Sequence, residues 1–156
     1  MEQIIITSHE QHVALLKKIS PATKFIEIVI PYGEASNDEL IISLRPFLIE
    51  MKKVWEWAGT ISGGTESRLY RYSSDDALFQ RLNEYEAFFL HIPYKTSPDD
   101  FIYFPDDIVR WQMEYTSFGD KDIAFFDENS DVLFWTTTHE GDAFIHEKFE
   151  WHNANL

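Results

Sequence analysis

The feature that most constrains the fold is a pair of apolar runs near the C-terminus, separated by a short polar segment. Ile123–Phe126 and Val132–Thr138 are rich in β-branched and aromatic residues, and the residues between them, Asp127–Asp131, are all polar. Strand-forming runs around a turn-forming segment predict a β-hairpin. Ala143–Trp151 is interpreted either as a third strand of the same meander or as a helix.

Adjacent aromatic residues within these runs restrict how the hairpin can pack. Successive side chains of a strand point to opposite faces of the sheet. Phe125 and Phe126 therefore cannot share a face, and the same holds for Phe134 and Trp135. Either both faces of the sheet are covered, or one aromatic side chain of each pair is exposed.

The start of the chain is predicted to contain a strand, a helix and a second strand. Gln3–Thr7 and Lys24–Ile30 have the β-branched, apolar composition of strands. His9–Ile19 between them is predicted to be a helix, with Ser8 as its N-cap and Pro21 after its end. The two strands would either belong to one βαβ unit or be separated by other strands in a split arrangement.

The middle of the chain is predicted to alternate between helices and strands. Asn37 or Asp38 would cap a helix whose apolar spacing continues to Met51. Pro46 would either kink this helix or end it and start a second turn, and residues 38–51 are compatible with helix or strand. The alternating runs 54–58 and 69–72 flank a glycine-rich segment, which predicts a second hairpin. Further predicted elements are a helix from Ser73–Asp76 onward, strands at Ala87–Ile92 and Phe101–Phe104, and a helix from Asp106 to about Tyr115.

Together these elements predict a single globular α+β domain over residues 1–156. Its sheet would be mainly antiparallel, with about three to four helices and a C-terminal β-hairpin or meander.

Acidic residues are concentrated in the last third of the chain. Residues 99–156 hold 14 Asp and Glu against three Lys and Arg, which places −11 of the total net charge of −14 there. Residues 1–50 carry −3, and residues 51–98 are neutral overall. Such a charge distribution attracts basic partners and repels nucleic acid and anionic membranes, so we expect neither of the latter as a partner.

The chain has no cysteine, which excludes disulfides, thiolate nucleophiles and cysteine-based metal sites. The N-terminal residues lack the basic flank and long apolar run of a secretory signal. No stretch reaches the roughly 18 apolar residues of a membrane span. The expected location is the cytoplasm.

Three features are similar to catalytic or metal-binding motifs but lack the required spacing. His139 and His146 are seven residues apart, whereas the HExxH zinc motif has its histidines at a helical spacing. The glycine-rich segment 59–64 lacks the lysine of a phosphate-binding loop and the G-x-S-x-G pattern. Adjacent carboxylates such as Asp106 and Asp107 are typical of helix starts rather than of a glycosidase pair. We expect no catalytic residue, metal or cofactor, so the sequence favours binding over catalysis.

Aromatic residues are interleaved with the acids between Asp99 and Trp151. Aromatic side chains anchor protein interfaces, while acidic side chains steer a basic partner and pair with its Lys and Arg. In its small size, its lack of cysteine and this mixture of residues, the chain resembles, at the level of class, the small acidic bacterial immunity proteins that neutralise toxins. The resemblance implies that the protein covers the basic substrate-binding cleft of a toxin domain.

The expected contact residues are the acids on the predicted helix, hairpin and strand of this segment, together with one tryptophan. They are Asp106, Asp107, Glu114, Asp120, Asp122, Asp127, Glu128, Asp131, Trp135, Glu140 and Asp142.

Two other functions fit the same residues. A hydrolase would use carboxylates with His139 or His146, and it would need a pocket in which these groups converge. An oligomeric adaptor would instead bury the aromatic residues between copies of the chain.

Overall fold

The structure is a computed structural model, and it describes residues 1–6, 8–31, 38–55, 57, 67–84, 121–137 and 142–152. The strands within these residues are β1 (Glu2–Ile4), β2 (Phe25–Pro31), β3 (Leu48–Val54), β4 (Ser67–Ser73), β5 (Asp122–Phe126), β6 (Val132–Thr137) and β7 (Asp142–Ile145). The helices are α1 (His9–Ile19), α2 (Glu39–Ser43) and α3 (Asp76–Glu84), with short 3-10 helices at Ser20–Ala22 and Arg45–Phe47.

The strands form one sheet in the order β1-β7-β6-β5-β2-β4-β3, and each neighbouring pair is antiparallel. The prediction of an α+β fold with a mainly antiparallel sheet is confirmed. β1 and β2 have the same direction, but β7, β6 and β5 lie between them. The first strand–helix–strand unit is therefore split, which is one of the two predicted arrangements.

Side-chain caps explain where the helices begin. Ser8 Oγ accepts a hydrogen bond of 3.2 Å from the backbone N–H of Gln11. Asp38 Oδ1 accepts two, of 3.0 and 3.1 Å, from amides in the first turn of α2, and Asp75 caps α3 at 2.8 Å. These carboxylate and hydroxyl oxygens satisfy amides that have no partner inside their helix. The predicted Ser8 cap is confirmed, and Asp38 rather than Asn37 caps the second helix.

The helices pack on one face of the sheet, called the helix face below. Ile26 of β2, Phe125 of β5 and Phe134 of β6 are neighbours across this face and are fully buried. The Phe79 ring of α3 stacks on Phe125 with centroids 6.1 Å apart. Hydrophobic burial of this layer is the main stabilising contribution to the fold.

The opposite face of the sheet is also buried at its centre. Val29, Leu69 and Ala124 point away from the helix face and are at most 3% exposed. Trp135, which also lies on this face, is half-buried. Neighbouring aromatic residues thus point to opposite faces, and both faces are covered where the central strands lie.

The predicted helix after Asp38 ends before Pro46 and a second turn starts there, which is one of the two predicted alternatives, but the helix does not extend to Met51. α2 ends at Ser43, a 3-10 helix containing Pro46 follows, and β3 begins at Leu48. Proline lacks an amide hydrogen and is tolerated in the first turn of a helix, so Pro46 ends one helical segment and starts another. β4 pairs antiparallel with the strand that precedes it, as predicted, but that strand covers Leu48–Val54 and shares only Val54 with the predicted run 54–58.

The predicted element at residues 143–151 is a strand only in its first part. β7 ends at Ile145, and a turn follows in which His146 Nδ1 accepts a hydrogen bond of 3.1 Å from the amide of Lys148. This local hydrogen bond competes with strand pairing. The strands predicted at 87–92 and 101–104 and the helix predicted from 106 to 115 lie outside the described residues.

Candidate binding surfaces

The predicted contact residues divide into those outside the described residues and those that the structure describes. Asp106, Asp107, Glu114, Asp120 and Glu140 lie outside the described residues. The other acids and Trp135 belong to β5, β6, β7 and the turn between β5 and β6, a region called the acidic end below.

Asp122 and Asp142 are buried, with 2% and 9% of their surface exposed. Asp142 Oδ1 accepts a hydrogen bond of 2.8 Å from Gln3 Nε2, which links β7 to β1. Burial removes both carboxylates from the set of acids that a partner can touch, which corrects the expectation for these two residues.

The turn between β5 and β6 presents the exposed acids of this region. Asp127 Oδ1 accepts two hydrogen bonds of 2.9 Å from the amides of Asn129 and Asp131, so its side chain holds the turn together. Glu128 and Asp131 are exposed. Asp127 thus has a structural role, while Glu128 and Asp131 point to solvent from a well-ordered turn.

Trp135 lies beside Phe144 on the face opposite the helices. The two residues are paired in the β6–β7 register, and their rings stack with centroids 4.6 Å apart at an angle of 20°. Both side chains are half-buried. The pair offers a half-exposed aromatic surface on β6 and β7.

The other end of the sheet, made of residues 45–54 and β4, has the opposite charge and is called the basic edge below. It holds five of the 13 basic residues of the chain against one acid, Glu50. β3 is the last strand of the sheet, and three side chains in or beside it, Ile49, Met51 and Trp55, are 51–56% exposed. Apolar side chains are therefore displayed at an edge whose charge is positive.

A partly open cavity of about 310 Å³ lies at the basic edge. Its walls come from β3 and β4 on the helix face, from α2 and from the 3-10 helix that follows α2. The lining residues are Ile41, Arg45, Leu48, Met51, Arg68, Tyr70 and Tyr72.

Contacts at both ends of α2 hold the wall of the cavity in place. Asp38, just before α2, forms an ion pair of 2.8 Å with Lys121, whose side chain is almost fully buried. At the other end, the Arg81 guanidinium donates to the carbonyl of Ser43 and lies over the Phe47 ring, 5.2 Å from its centroid. The wall is thus attached both to α3 and to the residue that precedes β5.

Tyr72 is the most unusual residue of the cavity. Its side chain is fully buried, and its hydroxyl has no hydrogen-bond partner among the residues that the structure describes. Burial, with smaller contributions from Tyr70 and Asp38, raises the pKa of the Tyr72 hydroxyl above its usual range. The hydroxyl is therefore protonated at neutral pH and available as a hydrogen-bond donor.

Histidines do not form a metal cluster in the described part of the chain, where no group of three or more His, Asp or Glu residues is placed to hold an ion. His146 belongs to the turn after β7, and His139 lies outside the described residues. His12 is buried in α1, and its Nε2 is 3.0 Å from the carbonyl oxygen of Leu82 in α3. Burial, opposed by this hydrogen bond and assisted by His9, lowers the pKa of His12 to about 4.

Sequence reasoning missed the basic edge and the burial of His12. Summed over residues 51–98, the charge is zero, which hides the fact that Lys52, Lys53 and Arg68 become neighbours when β3 pairs with β4. The alternation of Arg68, Tyr70 and Tyr72 along one strand face was the available signal.

In the part of the chain that the structure describes, no helix is long and apolar enough to cross a membrane. No protein-family model matches the chain, and no curated protein or solved structure is significantly similar to it.

Proposed function

We propose that the protein binds a basic protein partner through its acidic end and thereby masks it, as a toxin-neutralising immunity protein does. The charge distribution carries this proposal, because residues 99–156 contribute −11 to the net charge. A field of one sign accelerates association with a partner of the opposite sign, and salt weakens this effect.

The geometry of the acidic end supports binding in two ways. Glu128 and Asp131 project from a turn that Asp127 already orders, so little conformational entropy is lost when a partner binds. The Trp135–Phe144 stack provides a half-exposed aromatic anchor, which is the type of residue that dominates binding energy at interfaces.

The experiment is affinity capture from the source cell at low and high salt. The expected result is a basic protein that forms a complex of defined stoichiometry in light scattering and dissociates more readily as salt increases. The variant Glu128→Gln with Asp131→Asn should weaken capture. The control, Asp76→Asn with Glu84→Gln, changes the net charge equally on α3 and should not.

Two results would contradict the proposal. The first is a captured protein whose binding does not depend on salt. The second is equal weakening by the two double variants, which would indicate a general charge effect instead of contact at the acidic end.

A second candidate, an oligomeric adaptor, is favoured by the exposed apolar side chains Ile49, Met51 and Trp55. An exposed edge strand can pair with the same strand of a second copy. Lys52 and Lys53 oppose such pairing because they would bring like charges together. Light scattering over a range of protein concentrations tests this candidate, and a monomer throughout would eliminate it.

A further inference from the structure

We propose that the cavity at the basic edge binds a small amphipathic carboxylic acid. Its apolar body would lie against Ile41, Leu48 and Met51, and its carboxylate would face Arg45 and Arg68. This site is separate from the acidic end and does not depend on the function proposed above.

The size and lining of the cavity fit a small molecule. Its volume of about 310 Å³ is at the lower end of the range of ligand sites. Such sites are mainly apolar, with a few polar groups that orient the ligand. The aliphatic side chains and two tyrosine rings of this cavity provide the apolar surface, while the two arginines provide the polar groups.

The local charge selects an anion although the protein as a whole is acidic. Arg68 lines the cavity, and Lys53 is its direct cross-strand neighbour on the helix face. Arginine is well suited to a carboxylate because its planar guanidinium can donate two parallel hydrogen bonds.

Tyr72 contributes apolar surface to the cavity. Its ring forms part of the cavity wall, while its hydroxyl is closed to solvent and has no hydrogen-bond partner among the described residues.

Contacts outside the cavity hold its walls in place. The Asp38–Lys121 ion pair and the contacts of Arg81 with Ser43 and Phe47 hold α2 and the 3-10 helix against the sheet. A preformed site avoids the entropic cost of ordering its walls on binding.

The experiment is a titration of the full chain with octanoate, followed by calorimetry and by NMR of the Ile and Met methyl groups. Octanamide, which keeps the apolar body but has no charge, is the matched ligand. We expect octanoate to saturate one site. Octanamide should bind at least about tenfold more weakly than octanoate. Equal binding of the two ligands, or no saturable binding of octanoate, would overturn the proposal.

Two variants locate the site. Arg45→Gln should weaken octanoate binding by about tenfold. Lys17→Gln, which makes the same charge change on the exposed surface of α1, should leave octanoate binding unchanged. Equal losses in the two variants would show diffuse attraction instead of a site. Circular dichroism of each variant confirms folding.

A peptide with an apolar last residue and a free C-terminal carboxylate presents the same chemistry. Much tighter binding of such a peptide than of octanoate would overturn the assignment to a small molecule and would identify a protein C-terminus as the ligand.

Discussion

The basic edge and the acidic end are the two flanks of one sheet, yet they differ in charge, in exposure and in the length of their outer strands. At the basic edge, β3 has seven residues, and apolar side chains are displayed beside lysines. On the acidic side, the outermost strand β1 has three residues, and its neighbour β7 has four. Short outer strands limit unwanted pairing with other chains, and lysines on an edge strand do the same.

The difference shows that the two flanks avoid aggregation by different means. The acidic side offers little backbone for pairing, and a net negative charge keeps copies apart. The basic edge has a long open strand, a register shift between Leu48 and Glu50, and two lysines.

The largest expected effect comes from the ion pair that connects the two flanks. Asp38 begins the wall of the basic edge, and Lys121 precedes β5 of the acidic end. Asp38→Ala removes a helix cap and leaves the Lys121 cation buried without this carboxylate. We expect a loss of about 3–5 kcal/mol in the free energy of unfolding, measured by urea denaturation.

Asp75→Ala is the control for this prediction, because it removes a cap of the same type from α3 without breaking a described ion pair. It should cost about 1 kcal/mol. Equal losses in the two variants would mean that the ion pair adds nothing and that the two flanks are energetically independent.

The second prediction separates two contributions to the pH dependence of stability, one from the carboxylates of the acidic end and one from the buried residue His12. Protonation of carboxylates reduces repulsion at the acidic end, so this effect alone would stabilise the protein as the pH falls. His12 acts in the opposite direction, because burial lowers its pKa from 6.5 to about 4. The unfolded chain therefore binds the proton first, and the stability that neutral His12 provides is lost as the pH falls from 6.5 toward 4.

His12→Gln removes this titration while retaining an amide that can donate to the Leu82 carbonyl. Between pH ~7 and ~5, the original protein should lose about 2 kcal/mol more than His12→Gln. Denaturation at both pH values measures the difference. Parallel pH dependence in the two proteins would show that His12 is not kept neutral by burial.

The same contrast explains what the sequence could and could not predict. The strands of the acidic end and the start of α1 were predictable because turn residues, strand alternation and the Ser8 cap act over a few residues. Leu44, Leu48 and Met51 have helical spacing, yet Leu48 and Met51 lie in a strand because pairing with β4 satisfies their backbone. That pairing is a non-local interaction, and helix propensity is too weak to oppose it.

The candidate sites show the same contrast between local and non-local interactions. The turn that carries Glu128 and Asp131 was predictable because its polar residues are adjacent in sequence. The burial of Asp122 and Asp142 depends on the residues packed over them and, for Asp142, on a contact with Gln3 between β7 and β1. A local sequence pattern does not indicate either. The cavity was not predictable because its walls come from α2, the segment after it and β4, which meet only in the folded sheet.

A smaller effect is expected from the hydroxyl of Tyr72. This buried group has no described partner, and Tyr72→Phe should raise the free energy of unfolding by about 1 kcal/mol. Tyr70→Phe is the control, because Tyr70 also lines the cavity but its hydroxyl is not a buried group without a partner. Destabilisation by Tyr72→Phe would show that the Tyr72 hydroxyl has a hydrogen-bond partner in the folded protein.

The smallest expected effect concerns the exposed acids themselves. Glu128→Gln with Asp131→Asn should change the free energy of unfolding by less than about 0.5 kcal/mol, with a slight gain at low salt because repulsion falls. Asp76→Asn with Glu84→Gln should behave alike, since salt screens both sets of exposed charges. Urea denaturation at low and high salt measures these changes. A loss above about 1 kcal/mol in the first variant alone would mean that these acids stabilise the turn. Their presence there would then be explained by the stability of the turn and would not indicate a partner.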